Sequence, residues 1–188
     1  MKYFTSDWHL GHKNIIKYSN RPFATVNEMD DTIIENMISL LKKDDELYYL
    51  GDLYWDKHSF WKFYNHFPKN ECKFYWVIGN HDRHQISYHQ QKHHFTEIRD
   101  IIETKIQDHH VVCCHYPMTT WNRSHHGAWH LFGHHHVASH GTAELDQHIT
   151  GKMFNVNCEF NNYKPYSENK IIKIMQKKPQ NWDYQERR

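Results

Sequence analysis

The sequence lacks the long apolar segments of membrane and secreted proteins, and it carries little net charge. No apolar run approaches the length of a membrane-spanning helix, and residues 1–6 show no signal-peptide core. The formal net charge is +1, so no strong field attracts the chain to nucleic acid or to an acidic membrane. We therefore expect a soluble protein with no membrane partner. Nucleic acid is disfavoured as a partner, because its binding would require a local basic groove.

Cysteine is also scarce, and its spacing contains no C-x-x-C pair. Unpaired thiols are typical of a reducing compartment, which predicts a cytoplasmic location. The four thiols are Cys72, Cys113, Cys114 and Cys158.

Repeats, linkers and low-complexity tracts are absent as well. A chain of 188 residues without them predicts one domain with its own core. We place this domain at residues 1–178 and expect a polar C-terminal tail at 179–188 that frays.

Histidine, by contrast, is abundant, with 20 residues in the chain. Its side chain serves as a metal ligand and exchanges protons near neutral pH. A two-metal site uses only a handful of ligands, so most of these histidines should face solvent.

Apolar patterns predict an α/β layered domain in which helices and strands alternate early and strands dominate later. The predicted strands lie at 2–6, 46–50, 73–78, 98–106, 110–114, 129–132 and 152–157. The predicted helices lie at 27–43, 60–67 and 167–175, the first after a capping box at Thr25–Glu28.

Five short motifs follow the ends of predicted strands. They are Asp7-x-His9, Gly51-Asp52, Gly79-Asn80-His81-Asp82, His115 and Gly133-His134-x-His136. In open α/β sheets, ligands bind in the crevice at the carboxyl ends of the strands. The motifs are therefore predicted to meet at one site.

The residue types in these motifs suit two adjacent divalent cations. A carboxylate shared between the cations screens their repulsion, and Asp52 is the candidate bridge. Oxygen and nitrogen ligands without thiolate favour Mn²⁺, with Fe, Zn²⁺, Ni²⁺ or Co²⁺ as alternatives. We assign Asp7, His9, Asp52 and His136 to one cation, and Asp52, Asn80, His115 and His134 to the other.

Such a metal pair predicts hydrolysis of a phosphate ester by a metal-bridging hydroxide. His81, beside the ligand Asn80, is placed to protonate the leaving group as a general acid. Asp82 is predicted to orient either that loop or the imidazole itself. His12 and Arg21 either contact the substrate phosphate or serve local packing and a surface salt bridge. Arg83 either binds phosphate or pairs with a surface carboxylate.

The five motifs, in this order, resemble those of the calcineurin-like metallophosphoesterases. That superfamily includes purple acid phosphatases, Ser/Thr phosphatases and the double-strand-break repair nuclease. Residues 11–18, Arg21-Pro22-Phe23 and 155–165 are similar to small bacterial and phage-borne members. The resemblance implies a single-domain, four-layer α/β/β/α sandwich of two mixed sheets flanked by helices. It also implies the two ligand sets given above, with His81 as the leaving-group histidine.

One position departs from the protein-phosphatase branch. That branch has a second aspartate three residues after the Gly-Asp motif, paired to the catalytic histidine. Here the position is Trp55 and the nearest carboxylate is Asp56, which disfavours that branch. It also leaves open which group orients His81.

Several functions fit these residues. The first is hydrolysis of a phosphodiester in a small or nucleotide-like substrate. The alternatives are a phosphomonoesterase, a nuclease acting on single-stranded nucleic acid, and a non-catalytic module that binds metal or nucleotide. The sequence does not indicate the natural substrate or the oligomeric state.

Overall fold

Two β-sheets and the helices around them make up the chain in a computed structural model, which describes residues 1–84, 95–136 and 149–185. The strands are β1 Lys2–Thr5, β2 Glu46–Leu50, β3 Lys73–Val77, β4 Glu97–Arg99, β5 Ile101–Ile106, β6 His109–Cys114, β7 Trp129–Phe132, β8 Met153–Asn155 and β9 Tyr166–Ser167. The α-helices of these ranges are α1 Ile15–Tyr18, α2 Val26–Ile38, α3 Lys57–His66 and α4 Glu168–Gln176. Two 3₁₀ turns lie at Ser124–His126 and Cys158–Asn161.

Both sheets are mixed. The first has the order β4-β3-β2-β1-β9, in which β9 alone runs antiparallel to its neighbour. The second has the order β5-β6-β7-β8, in which β5 is antiparallel to β6 and the other pairs are parallel. The predicted α/β sandwich of two mixed sheets is confirmed.

Side chains of the first sheet alternate between two apolar clusters, because successive strand residues point to opposite faces. On β2, Leu47 and Tyr49 pack with α2 and α3 in one cluster. Tyr48 and Leu50 face the other way and pack against the second sheet and α4. The outer face of the second sheet is covered by a smaller cluster around Trp121. The sheets are therefore held face to face by the middle layer of this core.

The strand predicted at 98–106 is two strands in different sheets. β4 pairs in parallel with β3 in the first sheet, and β5 pairs with β6 in the second. Only Asp100 separates them, so the chain crosses between the sheets at that residue. The apolar pattern reports burial on each side of Asp100 but not the partner strand, which is why one strand was predicted.

The helices begin at capping residues that the sequence shows. Thr25 Oγ1 accepts from Glu28 N at 3.2 Å at the start of α2, as the capping box predicts. Asp56 caps α3 in the same way, with Oδ1 accepting from Ser59 N at 2.9 Å. None of the helices in the described part of the chain is long and apolar enough to cross a membrane.

The prediction that the tail frays is wrong for residues 179–185. Asn181 is buried, and its Nδ2 donates to the carbonyls of Ser124 at 2.8 Å and Ala128 at 3.0 Å. Its Oδ1 accepts from Lys152 N at 2.7 Å. A polar side chain that satisfies three backbone groups holds this segment to the second sheet, and composition alone does not reveal such pairing.

Candidate metal centre

The predicted ligand loops converge where the parallel strands of both sheets end. Asp7 and His9 follow β1, Asp52 follows β2, and Asn80 follows β3. His115 follows β6, while His134 and His136 follow β7. Backbone hydrogen bonds join the first two loops, since Asp7 N donates to Gly51 O at 2.9 Å and His9 N donates to Asp52 O at 3.1 Å. The topology thus brings together seven side chains that span 130 positions of the sequence.

The acidic and imidazole ligand atoms form three overlapping groups, in each of which all atoms lie within 4.8 Å of one another. The groups are Asp7 with His9 and His136, His9 with Asp52 and His81, and Asp52 with His115 and His134. Asp52 belongs to two groups. Its Oδ2 lies 3.7 Å from His9 Nε2 and 3.5 Å from His115 Nε2. This central position is the one expected of a bridging carboxylate.

Asn80 supplies a neutral oxygen to the same place. Its Oδ1 lies 3.1 Å from His115 Nε2, on the side of the cluster formed with Asp52. At the opposite side, His136 Nε2 lies 3.7 Å from Asp7 Oδ1. The structure therefore brings together all seven residues that the sequence predicts as metal ligands.

Two of the glycines in the motifs are required by close approach. Gly51 has φ +94°, and a Cβ there would lie 2.8 Å from the Cα of Gly79. A Cβ on Gly133 would lie 2.5 Å from Asp7 Oδ2. These distances are shorter than any side chain tolerates. Glycine therefore allows the loop of Gly51 to approach that of Gly79, and the loop of Gly133 to approach that of Asp7.

Four of the ligand residues have a backbone that L-amino acids rarely adopt. Their φ angles are 58° for Asp7, 51° for His9, 61° for Asp52 and 69° for His134. Left-handed conformations of non-glycine residues cost of order 1–3 kcal/mol and occur mostly where function demands a particular side-chain direction. The left-handed backbone at these four positions sets the direction in which their side chains leave the loops.

Burial and neighbouring charges shift the pKa values of the cluster in opposite directions. Burial raises the pKa of Asp7, and burial lowers the pKa of His9 well below its ordinary value. Burial also disfavours charge on His115, but Asp52 and Asp7 outweigh it and raise the pKa of His115 to about 9. His9 Nε2 is buried without a hydrogen-bond partner. A buried imidazole nitrogen with no partner, facing two carboxylates, is the donor set that a divalent cation completes.

The hydrogen bonds of Asp82 come from backbone N–H groups and one indole, and not from the imidazole of His81. Asp82 is buried, and it accepts hydrogen bonds from the backbone N–H groups of Asp52, Leu53 and Gly79 at 2.8, 3.0 and 2.8 Å. A further bond comes from Trp76 Nε1 at 3.1 Å. Burial and the charge of Asp52 raise the pKa of Asp82 to about 6. Of the two predicted roles, these hydrogen bonds fit orientation of the loop.

Arg21 lies inside the protein, which fits the packing alternative of its prediction. Its side chain is buried, and its guanidinium donates to Trp8 O at 2.8 Å and Asp7 O at 2.7 Å. It also pairs with Glu159 Oε1 at 2.8 Å. The sequence motif was right in marking this residue, but its charge is used to hold the backbone of the first ligand loop.

The other two predicted substrate contacts differ from each other. Arg83 is exposed and pairs with Asp100 at 2.9 Å, which is the surface-pair alternative. His12 lies beside the cluster, with its ring centroid 5.7 Å from that of His9. Of the three, His12 is the one whose ring lies against an imidazole of the cluster.

Glu159 is a residue of the centre that sequence reasoning missed. Its side chain is buried, and Oε1 lies 2.8 Å from His136 Nδ1 and 2.9 Å from Arg21 Nε. A carboxylate behind a ligand imidazole fixes the ring and leaves the other nitrogen for a metal. The available signal was its position two residues after Asn157, within the family-like stretch 155–165.

These features define a class: an α/β sandwich with an aspartate–histidine cluster where its parallel strands end. No model of a described protein family matches the chain. An uncharacterized protein of Methanocaldococcus jannaschii, MJ1445, is 34% identical over 179 residues, which cover 93% of this chain and 91% of that protein. The chain belongs to the same family as this archaeal protein.

A solved structure has a similar fold. The protein of unknown function AQ665 from Aquifex aeolicus matches with a TM-score of 0.73 and 28% identity, over 93% of this chain and 98% of that chain.

Proposed function

We propose that the protein is a metal-dependent phosphoesterase of the calcineurin-like type. The observation that supports this most is the position of Asp52, which lies within 3.7 Å of His9 on one side and 3.5 Å of His115 on the other. One carboxylate shared by two ligand groups is the arrangement that a pair of divalent cations requires. We keep the cytoplasm as the proposed compartment, since all four cysteines are free.

The residues present fit two cations, with Mn²⁺ as the first choice. One set is Asp7, His9, Asp52 and His136, and the other is Asp52, Asn80, His115 and His134. A bound metal pair supplies positive charge for the phosphate oxygens and activates water for attack on phosphorus.

His81 is the group of the chain that fits proton transfer to the leaving oxygen. Its backbone N–H donates to Asp52 Oδ1 at 2.9 Å, which fixes the loop against the cluster. Its Nε2 lies 3.9 Å from Asp52 Oδ2, and 39% of the side chain is exposed. The imidazole therefore stands between the cluster and solvent, where a leaving alkoxide would depart.

The charges near the cluster favour a phosphodiester over a monoester. A monoester dianion needs more positive charge than a diester monoanion. Within the described residues, the guanidinium of Arg21 is occupied by backbone carbonyls and Glu159, and Arg83 pairs with Asp100. The same two pairings weaken the nuclease alternative, because that alternative requires unpaired basic side chains in a groove beside the cluster.

The test is metal uptake and turnover by the same samples. Metal-free protein is loaded with Mn²⁺, its metal content is measured, and hydrolysis of bis(p-nitrophenyl) phosphate is compared with that of p-nitrophenyl phosphate. We expect about two metals per chain and faster turnover of the diester. Asp52→Asn should lose both metal and turnover, whereas Asp31→Asn, at an exposed pair with Lys62, should retain both.

Three outcomes would contradict part or all of the proposal. Faster turnover of the monoester would overturn the diester preference alone and make the protein a phosphatase. Metal uptake without turnover of either ester, across Mn²⁺, Zn²⁺, Co²⁺ and Ni²⁺, favours the non-catalytic binding module. Failure to take up any of these ions removes the metal centre itself.

A further inference from the structure

A large aromatic side chain stands exposed beside the cluster. Trp55 is 50% exposed, whereas Trp8 and Trp76 of the first sheet and its loops are fully buried. The ring centroid of Trp55 lies 5.6 Å from that of His81. His81 in turn lies 5.3 Å from His9 by the same measure. The side chain of His81 therefore lies between the indole and the groups that would bind phosphate. This separation is the one expected between a base and its phosphate in a nucleotide.

The indole is held in one orientation. One of its faces is stacked on the imidazole of His12, with 4.1 Å between centroids and 8° between planes. Its backbone is fixed as well, because Trp55 N donates to Leu10 O at 2.7 Å and Leu10 pairs with Tyr54 in a bridge. A ring that is already immobile loses little entropy when a ligand packs on it.

A second exposed aromatic ring lies at the opposite side of the cluster. Tyr116 is 36% exposed, and its centroid lies 4.9 Å from that of His134. The rim beside the proposed phosphate site therefore presents aromatic faces on both sides. Since Arg21 and Arg83 are engaged elsewhere, this rim is better suited to a planar ring than to additional phosphates.

We propose that Trp55, backed by His12, is the stacking surface for a nucleobase of the substrate, so that the substrate class is a nucleotide phosphodiester. The inference rests on the proposed function, because the cluster must anchor the phosphate for the base to reach the indole. Stacking accepts any base, since each has a π-face, and it adds about 1–3 kcal/mol per base. That range corresponds to about 5- to 150-fold in affinity.

The experiment compares two ligands that share a ribose and a phosphate and differ by the base. AMP and ribose 5-phosphate are titrated calorimetrically into the Mn²⁺-loaded protein. We expect AMP to bind about 5- to 150-fold more tightly than ribose 5-phosphate. Trp55→Ala should weaken AMP alone, so that the two affinities become equal, and Trp55→Phe should restore most of the difference.

Trp182→Ala is the matched control. Trp182 is 67% exposed and its Nε1 donates to Thr119 O, outside the cluster. We expect this variant to keep the preference for AMP. Equal affinities in the wild type, or a preference that survives Trp55→Ala, would overturn the stacking surface. The stacking surface would also be overturned if neither AMP nor free adenosine bound to the protein.

The same samples separate this inference from the proposed reaction. Hydrolysis of bis(p-nitrophenyl) phosphate without a preference for AMP would remove the stacking surface and leave the phosphoesterase. A preference for AMP that depends on Trp55, in a protein that hydrolyses no ester, would leave the nucleotide site and remove the reaction.

Discussion

Histidine serves three different purposes in this chain, and the neighbours of each ring decide which one. His130 is buried, and burial lowers its pKa to about 4. His115 is equally buried, yet the carboxylates of Asp52 and Asp7 oppose that effect and raise its pKa to about 9. His81 stands partly in solvent beside the ligands. The residue type alone predicts none of these differences, because each depends on groups far away in sequence.

The exposed position of His81 allows a clean substitution. In the Mn²⁺-loaded protein, His81→Ala should lower turnover of an aryl phosphodiester by roughly 10²- to 10⁴-fold, as for loss of a general acid. Metal content should not change, because the two proposed ligand sets remain complete. Steady-state rates and metal analysis measure both.

The control for this variant is a nearby exposed histidine. His84 is exposed on the same loop, and His84→Ala should retain the wild-type rate. An unchanged rate in His81→Ala would show that His81 has no part in the reaction. Loss of metal in that variant would show that it acts as a ligand instead.

At the scale of elements, the first ligand loop and the 3₁₀ turn Cys158–Asn161 are joined through buried charges. Arg21 donates to the carbonyl of Asp7, and Glu159 from the 3₁₀ turn accepts from Arg21 Nε at 2.9 Å. Glu159 also holds His136 Nδ1 at 2.8 Å. A buried pair of this kind contributes little net stability but holds its partners in one arrangement. These contacts therefore fix the direction of the ligands at one side of the centre.

Removing the charge behind His136 should weaken metal binding. Glu159→Gln is expected to reduce Mn²⁺ affinity by about 10- to 100-fold, because the carboxylate orients the ligand imidazole and raises its basicity. Calorimetric titration of the metal-free protein measures this, and chemical unfolding shows whether the variant is folded.

Glu97→Gln is the corresponding surface change, since Glu97 pairs with Arg99 at an exposed position. It should leave Mn²⁺ affinity unaltered. If Glu159→Gln were folded and bound Mn²⁺ as tightly as the wild type, Glu159 would have no effect on the metal ligands.

At the scale of the whole molecule, the second sheet contains a neutral histidine whose burial links stability to pH. His130 Nδ1 lies 3.0 Å from Val112 O, and its Nε2 lies 3.2 Å from Met118 N. Nε2 also lies 3.2 Å from Tyr116 O, and burial outweighs the two carbonyls and holds the pKa of the imidazole at about 4. The ring thereby joins β7 to β6 and to the segment after His115.

Stability should fall as the pH is lowered from 7 to 5. The pKa of His130 is about 4 in the folded protein against an ordinary 6.5, so the unfolded chain binds a proton in this range that the folded chain does not. Lowering the pH below 6.5 therefore destabilises the folded protein. At pH 5 the neutral His130 lowers the free energy of unfolding by about 2 kcal/mol. Urea unfolding at pH 7 and at pH 5 measures it.

The contribution of His130 is isolated by comparison with a variant. His130→Asn should be less stable at pH 7 but lose about 2 kcal/mol less between pH 7 and pH 5. His58→Asn, at an exposed position, should keep the full loss. Equal pH dependence in the wild type and His130→Asn would contradict the assignment of a buried neutral imidazole.

The strand and helix pattern could be predicted from the sequence because it depends on local periodicity and on caps such as Thr25. The pairing of the strands could not be predicted. The apolar pattern at 98–106 is the same whether these residues form one strand in one sheet or two strands in different sheets. The polar tail illustrates the same limit, because Asn181 is buried by partners at Ser124, Ala128 and Lys152 that composition does not show.

For the candidate site, the sequence by itself determined which side chains are present, their order, and their place after strand ends. Parallel strands place those ends at the same edge, so convergence followed from topology. Only the tertiary structure decided the direction of each side chain: Arg21 and Asp82 hold loops, Glu159 stands behind His136, and Trp55 faces solvent on His12. The physical reason is that direction depends on burial and on hydrogen bonds between residues far apart in the chain, which no local pattern records.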